Sequence, residues 1–198
     1  MSYANFALTG LILWIFYANT VGQASNSLID NERILSKVYF PRLMLPVAPV
    51  MAGLVDAAIG TVLLLVVTLF ETNPFTPRLL LAPTAYVLAA TTSVGIGLVL
   101  SALNVHFRDV RYVVPFMLQV WMFASPVVYP ASTIPDEWRP VYAMNPVSTA
   151  ISILRWSVLG SEAPPWSAIG VSVAVAAIVL GVGVRIFNRA EGTFADVV

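Results

Sequence analysis

No aspartate, glutamate, lysine or arginine occurs from Met1 to Ile29, from Leu79 to Phe107, or from Tyr112 to Ile134. Uncharged runs of this length constrain the chain more than any motif does. A soluble helix needs a solvated face, whereas a charge at the centre of a bilayer costs on the order of 3 kcal/mol on insertion scales. Only 10% of the residues are charged, against roughly 25% in ordinary soluble domains. The chain is therefore expected to be an all-α, polytopic membrane helix bundle. Period-two alternation is missing, which argues against a membrane barrel. Residues 1–5 lack the positive segment of a signal peptide. Net charge is zero, so no basic face invites nucleic acid, and the chain has no cysteine for disulfides or thiolate metal sites.

Five stretches are long enough for a hydrocarbon core about 30 Å thick, which takes roughly 20 helical residues. They are 6–22, 44–70, 79–104, 112–129 and 166–187. A start outside and five crossings put Arg33, Lys37, Arg42, Arg108, Arg111, Arg185 and Arg189 on the inner side. Only Arg78 and Arg139 then lie in outer loops, a clear positive-inside bias. Residues 146–160 would make only about 22 Å of helix and include Arg155, so 131–160 is read as a re-entrant outer element. The whole chain reads as one transmembrane domain in the cell membrane.

Local signals mark the ends of these segments. Ser27 followed by Asp30 suggests a capped amphipathic helix over about 27–40, closed by Pro41, on the inner side between two spans. Asp109 stands where an N-cap is expected for the span starting near Tyr112. Pro126 disfavours a helical Ser125, so that span is expected to stop or kink there. Gly53, Ala57 and Gly60, and likewise Gly95 and Gly97, predict close helix contacts, within the chain or across a dimer. Asp56 and Gln119 lie inside spans and are expected to face protein or water rather than lipid, with Asp56 pairing with a neighbouring helix.

Enzyme chemistry finds no footing. With one histidine, no HExxH and no carboxylate pair in a shared span, neither a metal centre nor an activated nucleophile can be assembled. His106 reads as an interfacial residue. There is also no GxxxxGK[ST] loop, so the chain cannot cradle ATP phosphates itself. An ion-driven secondary transporter would show internal repeats and several central ionisable residues, whereas Asp56 is the one acid deep in a span.

The segments NERILSKVYFPRLMLPVAPV, GIGLVLSALNVHFRDVRYVVPFMLQVWMFASPVVYP, NPVSTAISILRWSVLG and RIFNRAEGTFADVV, in this order, resemble the permease subunits of ABC type-2 exporters of polysaccharides, polyol phosphates and lipid-linked glycans. The resemblance implies that two permease copies assemble with two ATPase subunits, which bind the ATP and magnesium while this chain binds no cofactor. It implies a coupling helix ending at Phe40, Pro41 and Arg42, with Asp30, Arg33 and Lys37 on it, and an Arg108–Asp109 step with Arg111 before the family's fifth span. Outer gate helices would be bounded by Ser125 and Pro126 and by Asn145 and Pro146, with Arg155 within them. Aromatic faces suit sugar C–H groups, so Trp14, Tyr17, Trp121, Phe123 and Tyr129, with Gln119, are the candidate path residues. YANFALTGLILWIFYANT resembles the second of six family spans, so the first span and the segment before it are expected to be missing here. Composition does not separate a glycan exporter from a drug or lipid exporter of the same superfamily.

Overall fold

A computed structural model describes residues 2–35, 40–70, 76–130 and 133–193. Their regular elements are helical: α1 (Tyr3–Asp30), α2 (Glu32–Leu35), α3 (Met44–Leu69), α4 (Ala82–His106), α5 (Val110–Ala124), α6 (Arg139–Ala143), α7 (Pro146–Leu159) and α8 (Trp166–Ala190), with short 3-10 turns at Pro77–Leu81, Asp136–Trp138 and Glu191–Thr193. Among the described residues four helices are, by length and composition, able to cross a bilayer, namely Tyr3–Asp30, Met44–Leu69, Pro77–His106 and Trp166–Ala190. The expected span at 112–129 is the shorter apolar helix α5, 15 residues or about 22 Å long. It stops where proline chemistry predicts: Ser125 turns to φ −111°, ψ 144° immediately before Pro126.

Direct contacts give the topology. Thr20 Oγ1 donates to Ser93 Oγ at 3.1 Å and Asn104 Nδ2 donates to the Ser25 carbonyl at 2.9 Å, so α1 and α4 run parallel. Gly53 packs on Thr20 and Phe16, and Gly60 on Ile12, so α3 runs antiparallel to α1. Of the buried residues of α3, Pro46, Val50, Ala57 and Leu64 join these glycines in a three-four repeat that lays one narrow seam on α1, and Thr68 is buried one turn further on. Helix α8 descends against α4, with Gly95 against the backbone of Val179 and Leu180. Helix α5 begins beside the end of α1, where Arg111 meets Asp30, and finishes beside its start, where the Tyr3 hydroxyl donates to the Val128 carbonyl at 3.1 Å. The expected glycine contacts thus form within one chain, including Gly97 against Ala24.

The segment after α5 is a helical hairpin that enters and leaves by the same end of the bundle. Arg139, at the start of α6, lines a cavity with Glu162, Pro164 and Pro165 just before α8. The Ala143 carbonyl, at the end of α6, accepts from Ser172 Oγ at 2.7 Å, six residues into α8, so the hairpin dips by roughly 9 Å. Helix α7 returns to Gly160, whose φ of 68° supplies the left-handed C-cap, beside Arg78 at the start of the Pro77–Leu81 turn.

Two expected caps do not form. Helix α1 runs through position 27 without a break, and Ser27 is buried with its Oγ donating to the Ala24 carbonyl of its own helix. Leu28 is fully buried with Leu98, Ala102, Val105 and Phe187, so packing on α4 and α8 holds this last turn helical against the local capping preference. The separate helix expected over 27–40 is therefore, in its described part, the end of α1 followed by the four-residue α2. Asp109 has helical backbone angles (φ −70°, ψ −22°) and makes no side-chain cap, because capping requires an extended residue there.

Candidate functional site

At one end of the bundle the chain ties α1, α5, α7 and α8 together through polar groups. Asn145 is the N-cap of α7: its Oδ1 accepts from the Val147 amide at 3.2 Å, and its Nδ2 donates to Ser125 Oγ at 2.9 Å. Pro146 follows at the first helical position, where a missing N–H is harmless. Ser125 and Pro126 are buried, so the break after α5 is packed inside the protein. Tyr129 is half-buried; its hydroxyl donates to the Phe123 carbonyl at 3.1 Å and pairs with the Tyr142 hydroxyl at 3.1 Å. The Thr149 and Ser172 hydroxyls pair at 2.6 Å, fixing α7 to α8.

Arg155 sits at the centre of this knot, 3% exposed. Its Nη1 donates to the Pro126 carbonyl at 2.7 Å, its Nη2 to the Val127 carbonyl and its Nε to the Phe6 carbonyl at 3.3 Å, while its Cζ lies 3.5 Å from the Phe6 ring centroid. The planar fork of arginine matches two successive carbonyls, and the ring face adds a cation–π contact. Gly10 makes the approach possible: a Cβ there would collide with the Val127 carbonyl and lie 2.6 Å from Arg155 Nη2. We expect Asn145→Ala to destabilise the protein by about 1–2 kcal/mol through loss of the cap and of the Ser125 bond. Asn145→Asp, which keeps the cap oxygen, should recover part of that in thermal unfolding.

Helix α5 turns most of its surface away from the bundle; Val114 is its one buried residue. Tyr112, Phe116, Gln119 and Phe123 recur at four-three-four spacing and are all exposed, which places them on one face. Gln119 and Phe123 thus share a stripe with Tyr112 and Phe116, two aromatics the sequence reading passed over although the same spacing displays them. Trp121 is exposed on a different face, following Met117. Trp14 and Tyr17, by contrast, are 5% and 1% exposed and pack together in the core, their ring centroids 5.5 Å apart and their planes tilted by 51°. Both belong to the buried cluster that α1 forms with residues of α3, α4 and α7, and so lie away from the exposed surface of this chain.

The opposite end holds Arg33, Arg42, Arg108 and Arg111. Arg111 Nη2 pairs with Asp30 Oδ1 at 3.0 Å, both side chains substantially exposed, so the bridge is solvated and contributes little stability. Arg42 Nη1 donates to the Glu191 carbonyl and ties the start of α3 to the end of α8. Arg33, Arg108 and Asp109 are exposed, Phe40 is half-buried and Pro41 exposed. Lys37 lies outside the described residues. Between α1, α4 and α5 opens a cavity of about 350 Å³ whose lining includes Glu32, Asn104, Arg108, Arg111 and Tyr112. His106 stays at the end of α4, its Nδ1 3.2 Å from the Ala102 carbonyl. Asp30, Arg108 and Arg111 therefore converge, with the described start of the expected coupling segment beside them.

Comparison with known proteins follows the same outline. Residues 3–159 match the family model described as ABC-2 type transporter. The O-antigen export system permease protein RfbA of Myxococcus xanthus is 29% identical over 193 residues, covering 96% of this chain and 74% of the relative. A protein of the same name from Klebsiella pneumoniae is 26% identical over 198 residues, covering 99% and 76%. The polysialic acid transport protein KpsM of Escherichia coli is 23% identical over 204 residues, covering 96% and 74%. The family match takes in α1 to α7, from the Arg111 end to the Arg155 knot, and the chain is a multi-pass membrane protein belonging to the ABC-2 type transporter family.

Proposed function

We propose that this chain is the permease subunit of an ATP-driven exporter that moves polysaccharide, polyol phosphate or lipid-linked glycan across the cell's inner (plasma) membrane. Support comes from relatives named as O-antigen and polysialic acid transporters, matched over nearly the whole chain. The geometric observation that carries the reading is the α5 stripe. Tyr112 and Phe116 are 78% and 66% exposed on a helix with one buried residue. Flat aromatic faces with an amide among them suit a sugar chain, which offers C–H faces and hydroxyls together. Two copies facing each other across these stripes would enclose the path, the Arg155 knot bounding its outer end. Replacing Phe116 and Phe123 with alanine is expected to lower glycan export by reconstituted transporter while assembly is unchanged; normal export by the double variant would defeat the reading.

Energy in this scheme comes from separate ATPase subunits that hold ATP and magnesium. The arginine-bearing end, with Asp30, Arg33, Lys37, Phe40, Pro41, Arg42, Arg108, Asp109 and Arg111, faces the cytosol and meets the ATPase. Closure of the ATPase pair on ATP then rocks the helices as rigid bodies. The charge-reversed pair Arg33→Glu with Lys37→Glu is expected to abolish ATPase retention in a pull-down, along with export. Undiminished retention would exclude this end as the coupling surface.

A further inference from the structure

Asn104, in the last turn of α4, is 0% exposed, and its amide is only half satisfied. Its Nδ2 donates to the Ser25 carbonyl at 2.9 Å and to Asn26 Oδ1 at 3.0 Å. Both N–H groups are thereby used on α1, and a flipped amide would set its oxygen against two acceptors, so the orientation is fixed. Oδ1 is left buried with no partner. A buried acceptor without a donor is costly and calls for an occupant.

The same residue lines the cavity of about 350 Å³ between α1, α4 and α5. With Nδ2 turned to α1, Oδ1 is the acceptor that this wall keeps for a ligand. Both signs of charge stand around it. Glu32 and Arg108, also in the lining, are exposed and make no hydrogen bond or ion pair among the described residues. Arg111 gives one nitrogen to Asp30 and keeps its other N–H groups. Two arginines thus balance Glu32 and Asp30. The cavity lies where the spans Tyr3–Asp30 and Pro77–His106 end and α5 begins, with Tyr112 in its wall, which is the level of lipid headgroups.

We propose that this cavity binds the phosphoethanolamine headgroup of a membrane lipid, its phosphate on Arg108 and Arg111 and its ammonium on Glu32 and Asn104 Oδ1. The wall asks one small group for an anion and for N–H donors together. Free phosphate or pyrophosphate brings oxygens alone and leaves Asn104 and Glu32 facing lone pairs. Phosphocholine carries the same two charges, but its quaternary nitrogen has no N–H to give Oδ1. A glycerol headgroup offers hydroxyls without a positive charge, leaving Glu32 unbalanced and adding net negative charge to a neutral site. A primary ammonium beside a phosphate meets each requirement through charged hydrogen bonds, which are the strong ones. The site serves either orientation of the chain, and goes beyond the exporter reading.

The assembled transporter is placed in nanodiscs of equal parts phosphatidylethanolamine, phosphatidylcholine and phosphatidylglycerol with the same acyl chains, and the lipids it retains on release are counted by native mass spectrometry. Phosphatidylethanolamine is expected to be retained about tenfold over phosphatidylcholine, as one charged hydrogen bond allows. Equal retention of those two, or preference for phosphatidylglycerol, overturns the proposal. Arg108→Gln should lower retention of phosphatidylethanolamine and phosphatidylcholine alike, since both carry the phosphate, whereas Glu32→Gln and Asn104→Ala should erase the preference between them. Asn104→Ala also loses its bonds to α1, so Glu32→Gln, at an exposed position, decides the matter if that variant does not fold; wild-type preference in Glu32→Gln, or undiminished retention in Arg108→Gln, overturns the proposal. In lipid-free detergent, free phosphoethanolamine that raised the unfolding midpoint as far as the whole lipid would make the ligand a soluble one and overturn the lipid assignment. Every readout is lipid selectivity rather than export or ATPase retention, so failure here leaves the exporter reading intact.

Discussion

Arg155→Ala is expected to abolish export and to destabilise the protein by about 3 kcal/mol or more, a loss larger than most single substitutions produce. The reason lies in what the guanidinium holds. It is 3% exposed, and the Pro126, Val127 and Phe6 carbonyls and the Phe6 ring surround it. Hydrogen bonds from a charged donor each contribute roughly 1.5–3 kcal/mol, and the carbonyls left behind would be buried without partners. Arg155→Lys should recover little, since an ammonium cannot fork to two successive carbonyls. Phe6→Leu keeps the backbone acceptor and removes the ring, so its loss should be about 1 kcal/mol. Thermal unfolding of the three variants in detergent orders them directly; an Arg155→Lys protein as stable as the wild type would show that charge alone, without the fork, holds the knot. Gly10→Val should resemble Arg155→Ala, because its side chain would occupy the space of Nη2 and the Val127 carbonyl.

The second large effect is expected at the crossing of α4 and α8. A Cβ on Gly95 would stand 2.8 Å from both the Leu180 amide nitrogen and the Val179 carbonyl carbon, and one on Gly183 would collide with the Gly95 carbonyl. Backbone meets backbone here, so no side chain can move aside. Helix α8 buries only Ser172, Ala176, Gly183 and Phe187, a narrow stripe with little else to hold it. Gly95→Val should therefore push α8 off α4 and cost about 3 kcal/mol, at the upper end of overpacking effects. Gly170→Val, on the same helix where a Cβ meets nothing within 4 Å, is the control and should be nearly neutral. Equal unfolding midpoints for the two variants would refute the close crossing.

The spans were legible because solvation is written residue by residue: an uncharged run from Leu79 to Phe107 suits hydrocarbon whatever its neighbours are, and α4 fills Ala82–His106 of it. The stop at Ser125–Pro126 was legible for a similar reason, since proline acts on its own backbone and the residue before it. Ser27 misled because a serine hydroxyl satisfies a cap amide or a carbonyl three residues back equally well, and the burial of Leu28 decided between them. Trp14 and Phe123 are both aromatics in apolar runs, yet one is core and the other exposed. Only the neighbouring helices distinguish them.

The sequence by itself determined that the chain crosses a membrane several times and that α5 stops at Ser125–Pro126, because these follow from transfer energies and backbone stereochemistry that act locally. Tertiary structure alone decided that Arg155 is gripped by carbonyls 28, 29 and 149 residues away, and that Asp56 faces outward. Such facts depend on which helix flank meets which neighbour, and in an apolar bundle that choice is made by the packing of small residues across many turns at once.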